Sequence, residues 1–254
     1  MSKLNIDQKT VLALFSAKDA LFLIPDYQRP YAWGEQECQT LWDDIFSFAL
    51  PDNNCNAFDS SSEYFLGPIV TFQSQGQKEI IDGQQRLTTL LLLLRAFYAC
   101  FGNMNDDAAK ATRKSIESCI WKTNEFDAAD KDSLKIESEV ATDNDREEFM
   151  AILKTGEVSD KSKSRYAHNY RFFLKQIAKF KDEFPMYYSY LPIRIMKNCI
   201  LLPIEAESQD TALRIFSTLN DRGMPLSDSD IFKAQFYKFY SHQGKTNSFI
   251  SGRS

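Results

Sequence analysis

Histidine is scarce: His168 and His242 are the only two in 254 residues. A Ser-His-Asp triad or a histidine-rich metal site has almost no material here. The five cysteines (Cys38, Cys55, Cys100, Cys119 and Cys199) include no Cys-x-x-Cys pair. That argues against a zinc ribbon or thioredoxin-like site and for scattered thiols in a reducing cytosol. No Gly-x-x-x-x-Gly-Lys-Ser/Thr and no Gly-x-Gly-x-x-Gly occurs. A P-loop and a dinucleotide fold are therefore unsupported. Long apolar runs are also missing. Runs such as Leu90–Leu94 are far too short for a bilayer, and the polar stretch Met1–Thr10 has no signal-peptide core. A cytoplasmic protein without a membrane role is the expectation. Nor is there a basic excess: 30 Lys and Arg stand against 35 Asp and Glu, for a net charge of −5. Any contact with DNA must use a local basic patch on an acidic whole.

What is present reads as a globular chain. An apolar fraction of 43% and a charged fraction of 26% rule out wholesale disorder. The fold class expected is α+β, with a boundary near residue 102. Residues 1–102 read as a small mixed α/β domain. Residues 103–240 read as mainly helical, with one returning strand near 198–204, and 241–254 read as a tail, either natural or truncated. In the first part, residues 7–23 look like a short amphipathic helix leading into an extended piece. Pro25–Trp33 holds two prolines and cannot be helix interior. A helix is expected from Gly34 to about Leu50, and Tyr64–Phe72 reads as a strand whose Gly67-Pro68 marks an edge or a bulge. Glu79–Ile81 is a short strand, and an apolar helix follows from about Gln84 to Phe101, with Leu87, Leu90, Leu91, Leu94 and Phe97 at core spacing. Further helices are expected at 107–122, 143–154, 162–184 and 209–219, and a last one from Ser227–Asp230 to about Tyr240.

Four constellations carry chemistry. At Asp82-Gly83-Gln84-Gln85-Arg86 a strand delivers a glycine turn into a helix. The helix presents free amides and its positive end, a setting that suits phosphate. Arg86 can add a bidentate grip, Asp82 can hold magnesium or orient a water, and Gln84 and Gln85 can position that water or read a base edge. The plainer reading makes Asp82 a helix N-cap and Arg86 a surface charge. In the second constellation Arg29 sits among Tyr27, Tyr31 and Trp33, which suits stacking on a base or, equally, packing a loop onto the core. In the third, Leu219–Lys233, Gly223 and Pro225 mark a turn before Asp228, Asp230 and Lys233. This is a helix connection or one wall of a polar pocket. The fourth is an acid-free basic stretch, 161–181, in which Arg171, Lys175 and Lys179 share one helix face. That stripe is a solvated face or a contact to a nucleic-acid backbone.

These residues resemble a known family. Ile24-Pro25-x-Tyr27-Gln28-Arg29-x-Tyr31-x-Trp33, Tyr64-Phe65-Leu66-Gly67 and Ile81-Asp82-Gly83-Gln84-Gln85-Arg86-Leu87-Thr88-Thr89-Leu90 occur in that order. Asn169-Tyr170-x-Phe172-Phe173 and Ile215-Phe216-x-x-Leu219-Asn220-x-x-Gly223 follow them. Together they resemble the N-terminal domain of GmrSD-type restriction endonucleases over about residues 20–240. The resemblance implies a ParB/sulfiredoxin-like α/β domain followed by helices, in a phage-defence protein acting on modified DNA. It implies nucleoside-triphosphate binding and hydrolysis with magnesium (GTP or another nucleotide). Asp82, Gln85 and Arg86 would be catalytic, with Gly83, Gln84, Tyr27, Gln28 and Arg29 binding nucleotide. Full-length relatives carry a C-terminal nuclease of the His-Asn-His type with a His-x-x-Pro signature. Neither His168-Asn-Tyr-Arg nor His242-Gln-Gly-Lys fits it, so the cutting part is expected in a separate or missing domain. Homo-oligomerisation stays open, as do two rival readings, a non-catalytic DNA-binding module and an interaction scaffold.

Overall fold

A computed structural model describes residues 7–126 and 128–222. Its centre is a six-stranded mixed sheet. The strands, in spatial order, are β1 (Lys9–Thr10), β8 (Cys199–Ala206), β3 (Tyr64–Ser74), β4 (Gln77–Asp82), β2 (Phe22–Ile24) and β7 (Ile136–Ser138). β3–β8, β2–β4 and β2–β7 are parallel; β1–β8 and β3–β4 are antiparallel. A separate antiparallel pair joins β5 (Trp121–Thr123) to β6 (Ala129–Leu134). The α+β expectation is met. The division near residue 102 is crossed by the sheet itself, since β8 lies between β1 and β3, and a single apolar cluster runs from Val11 to Leu201.

Strand alternation assigns the two faces of the sheet. On β8, Cys199 and Leu201 join the main core, while Ile200, Leu202 and Ile204 face the other way. The main core holds α2 (Glu35–Ala49), α3 (Gln84–Cys100), α5 (Arg146–Thr155), α6 (Arg165–Glu183) and α7 (Tyr190–Asn198). α3 is buried nearly all round from Leu87 to Phe97, as its apolar sequence demands. The opposite face is covered by α8 (Gln209–Arg222), which sets Ala212, Ile215 and Leu219 against Val70, Ile81 and Leu202.

α1 (Val11–Ser16) followed by β2 is the short helix leading into an extended piece that residues 7–23 suggested. Lys135, itself buried, donates from Nζ to the carbonyls of Phe15 (2.8 Å) and Ala17 (3.1 Å) and so caps the end of the helix. β3 is an interior strand, so of the two readings of Gly67-Pro68, edge or bulge, the bulge is the one met. Its Gly67-Pro68 coincides with a register shift against β8, and β4 pairs with it only from Val70 onward. Pro68 is tolerated because this stretch lies beyond the end of the β4 ladder. α4 (Asp107–Ile120) matches its expectation. The helix expected to Tyr240, Gly223, Pro225, Asp228, Asp230, Lys233 and the tail 241–254 lie outside the described residues.

Candidate functional site

β4 ends at Asp82, and the chain turns through Gly83 at φ +94° into α3. A side chain at Gly83 would also press on Ile69 Cγ1 at 3.2 Å and the Pro68 carbonyl at 3.3 Å. Glycine is therefore required by the dihedral, and the space around it is tight. The first intrahelical bond runs from Leu87 N to Gly83 O (3.0 Å), and the helix has no side-chain cap. The amides of Gln84, Gln85 and Arg86 thus head the helix without intrahelical partners.

The segment 28–33 is laced onto this turn by three glutamines. Gln28 donates from Nε2 to the carbonyls of Ile80 (3.2 Å) and Ile81 (3.1 Å), and Gln84 donates to the Arg29 carbonyl (3.0 Å). Gln85 Oε1 accepts from the amides of Ala32 (2.7 Å) and Trp33 (3.2 Å), while its Nε2 donates to the Pro30 carbonyl (3.2 Å). Asn169, fully buried on α6, holds the same segment from the other side. Its Nδ2 donates to Trp33 O and Tyr31 Oη, both at 2.9 Å.

The result is a cleft of about 570 Å³ lined by Gln28, Arg29, Trp33, Asp82–Arg86 and, from α8, Phe216 and Asn220. It contains one carboxylate and two guanidiniums. Burial pushes the Asp82 carboxyl above its ordinary pKa, against the pull of Arg86, the Gly83 amide and Arg29. Burial likewise lowers the Arg86 pKa, opposed by Asp82. The Arg86 guanidinium lies on Gly67 and donates from Nη1 to the Pro68 carbonyl (2.9 Å). Among the described residues no group of three or more His, Cys, Asp or Glu could hold a metal ion. Asp82 alone suits a magnesium ion that a ligand's phosphates help to hold, the usual manner of that ion.

The structure brings together Asp82, Gly83, Gln84, Gln85, Arg86, Gln28 and Arg29. Tyr27 stands apart, half exposed, its hydroxyl 3.4 Å from Glu79 Oε2. Tyr31 is buried and stacked on Tyr166 at 4.7 Å between ring centres, so it packs the loop, and Trp33 is the aromatic that reaches the cleft. Asp82 is not the N-cap; Gly83 is. The basic stripe lies elsewhere on α6: Arg171 is tied to the carbonyls of Ser159 and Ser162, Lys179 is 3.8 Å from Glu183, and Lys175 is exposed. Asn220 belongs to the Leu219–Lys233 stretch read from sequence as a helix connection or one wall of a polar pocket, and it does line the cleft; sequence reading missed only Phe216. The signal was present, since Phe216 sits four before Asn220 while Ile215 and Leu219 go to the core.

No helix among the described residues is long and apolar enough to cross a membrane. Comparison with curated proteins gives no match. A family model described as the N-terminal domain of GmrSD restriction endonuclease matches residues 11–237, and so takes in the cleft, the 28–33 segment, β3 and α8. A match over that much of the chain makes it a restriction-system component: the protein belongs to the GmrSD restriction endonuclease N-terminal domain family.

Proposed function

We propose that the cleft binds and hydrolyses a nucleoside triphosphate, and that the chain uses this to control restriction of modified DNA. The observation that carries the reading is the charge arrangement. Arg29, Arg86 and three helix amides without intrahelical partners surround one desolvated carboxylate. Such a cleft favours a polyanion over any neutral ligand. Arg86 grips and neutralises phosphate oxygens, and Asp82 orients the attacking water. Magnesium, brought with the phosphates, would neutralise further charge and share Asp82. Gln85 has both amide atoms engaged by the 30–33 backbone, so it positions Trp33 and Arg29. The DNA-cutting step belongs to a His-Asn-His nuclease, in a separate chain or a further domain. GTP and the other nucleotides remain to be ranked by titration.

The test is titration of the chain with the four ribonucleoside triphosphates plus magnesium, following binding and phosphate release. Saturable binding is expected for wild type and its loss for Arg86→Ala at an unchanged melting temperature. A folded wild type that binds none of the four sinks the reading.

Asp82 offers a second check. Its folded pKa is raised above the unfolded value of 3.8. Its charged form therefore opposes folding, a penalty absent at low pH and complete once pH exceeds the folded pKa. Asp82→Asn is expected to melt higher than wild type near neutral pH, and the gain should shrink as pH falls towards about 4. A functional carboxylate kept against stability behaves this way. An Asn variant that melts lower near neutral pH would make Asp82 a structural residue.

A further inference from the structure

We propose that a second cleft, at the start of α6, docks the phosphodiester backbone of DNA. The cleft measures about 410 Å³, and its walls include Lys163, Arg165, His168, Arg171 and Glu35. Arg171 donates to the carbonyls of Ser159 (2.8 Å) and Ser162 (2.7 Å), and Arg165 donates to that of Ala32 (2.7 Å). These bonds fix both guanidinium heads and leave further N–H donors on each, so little side-chain freedom is lost on meeting an anion. Lys163 and the neighbouring Lys161 make no ion pair among the described residues. Glu35, the one carboxylate in the lining, is held 2.8 Å from His168 Nε2.

Charge selects the occupant. The chain as a whole carries −5 and repels a duplex, whereas this cleft is lined by Lys163, Arg165 and Arg171, with Lys161 next to it, against the single carboxylate of Glu35. Several cations along one rim suit a repeating polyanion and its counterion release. The inference rests on the reading of the chain as part of a DNA-restricting system. Location adds to it: the Ala32 carbonyl accepts from Arg165 while its amide donates to Gln85 Oε1, so one residue separates this cleft from the nucleotide cleft.

The experiment is binding of the full chain to a duplex oligonucleotide across a salt series, without nucleotide. Lys161→Glu with Lys163→Glu is expected to weaken binding at least about tenfold and to flatten the log–log salt slope by about 2. Lys175→Glu with Lys179→Glu makes the same charge change further along α6 and is expected to stay within about twofold of wild type. All four lysines are exposed, and matching melting curves confirm the fold. The proposal is overturned if wild type binds no duplex, if the 161/163 pair binds like wild type, or if both pairs weaken binding equally. Because nucleotide is absent, a failed nucleotide titration beside the expected DNA pattern would remove only the nucleotide reading.

Discussion

Replacing Gln85 by alanine is expected to lower the melting temperature by roughly 6–12 °C and to weaken nucleotide binding with it. The side chain is buried, and its amide satisfies two backbone donors and one backbone acceptor of the 30–33 segment. Alanine leaves all three without that partner. At about 1 kcal/mol for each net hydrogen bond, and more where a buried group is stranded, the loss is roughly 3 kcal/mol. For a chain of this size that is about 2–4 °C per kcal/mol. The segment carries Arg29 and Trp33 to the cleft, so affinity falls as it loosens. A Gln85 that positioned the attacking water would split the effects the other way, with turnover lost at unchanged stability. Gln85→Glu separates the two further. It keeps an acceptor for the Ala32 and Trp33 amides but sets a carboxylate oxygen against the Pro30 carbonyl, so it should melt below wild type near neutral pH and recover as the pH falls and the carboxyl is protonated to donate to Pro30. Thermal melts beside nucleotide titrations decide the matter.

The same residues show how far sequence reaches. The strand, turn and helix around Asp82–Arg86 were legible because each step has a local cause: apolar Ile80-Ile81, a glycine at positive φ, then core-spaced leucines. The roles within the cleft were not. Tyr31 and Trp33 are alike in sequence, two apart in one extended segment, yet one stacks on Tyr166 in the core and the other lines the cleft. That choice is made by α6, through Tyr166 and Asn169, far along the chain. Likewise Gln84 and Gln85 look like solvent-facing readers until the carbonyls they hold are known. β6 escaped notice because Ala129–Leu134 is mostly polar and half exposed, without the alternation that betrays a strand. The cap on the end of α1 comes from Lys135, a distant residue that no local pattern names.

Gly67→Ala is expected to abolish nucleotide binding as thoroughly as Arg86→Ala, although Gly67 lines neither cleft. Its φ is +115°, and a Cβ there would stand 2.9 Å from Cζ and Nη2 of Arg86. The backbone strain alone costs about 1–3 kcal/mol. The contact adds a second penalty, because the guanidinium is seated between Gly67 and the Pro68 carbonyl and must leave that seat. The two effects separate in a double-mutant cycle. With Arg86 already alanine the clash has no partner, and only the dihedral strain remains. The double variant should therefore be more stable than the sum of the single changes predicts, by at least about 1 kcal/mol. Strict additivity would mean that Arg86 does not rest on Gly67 in solution. A clear coupling would show that the glycine of β3 seats the arginine of α3, tying the Tyr64–Gly67 and Asp82–Arg86 segments into one packed unit beside the cleft.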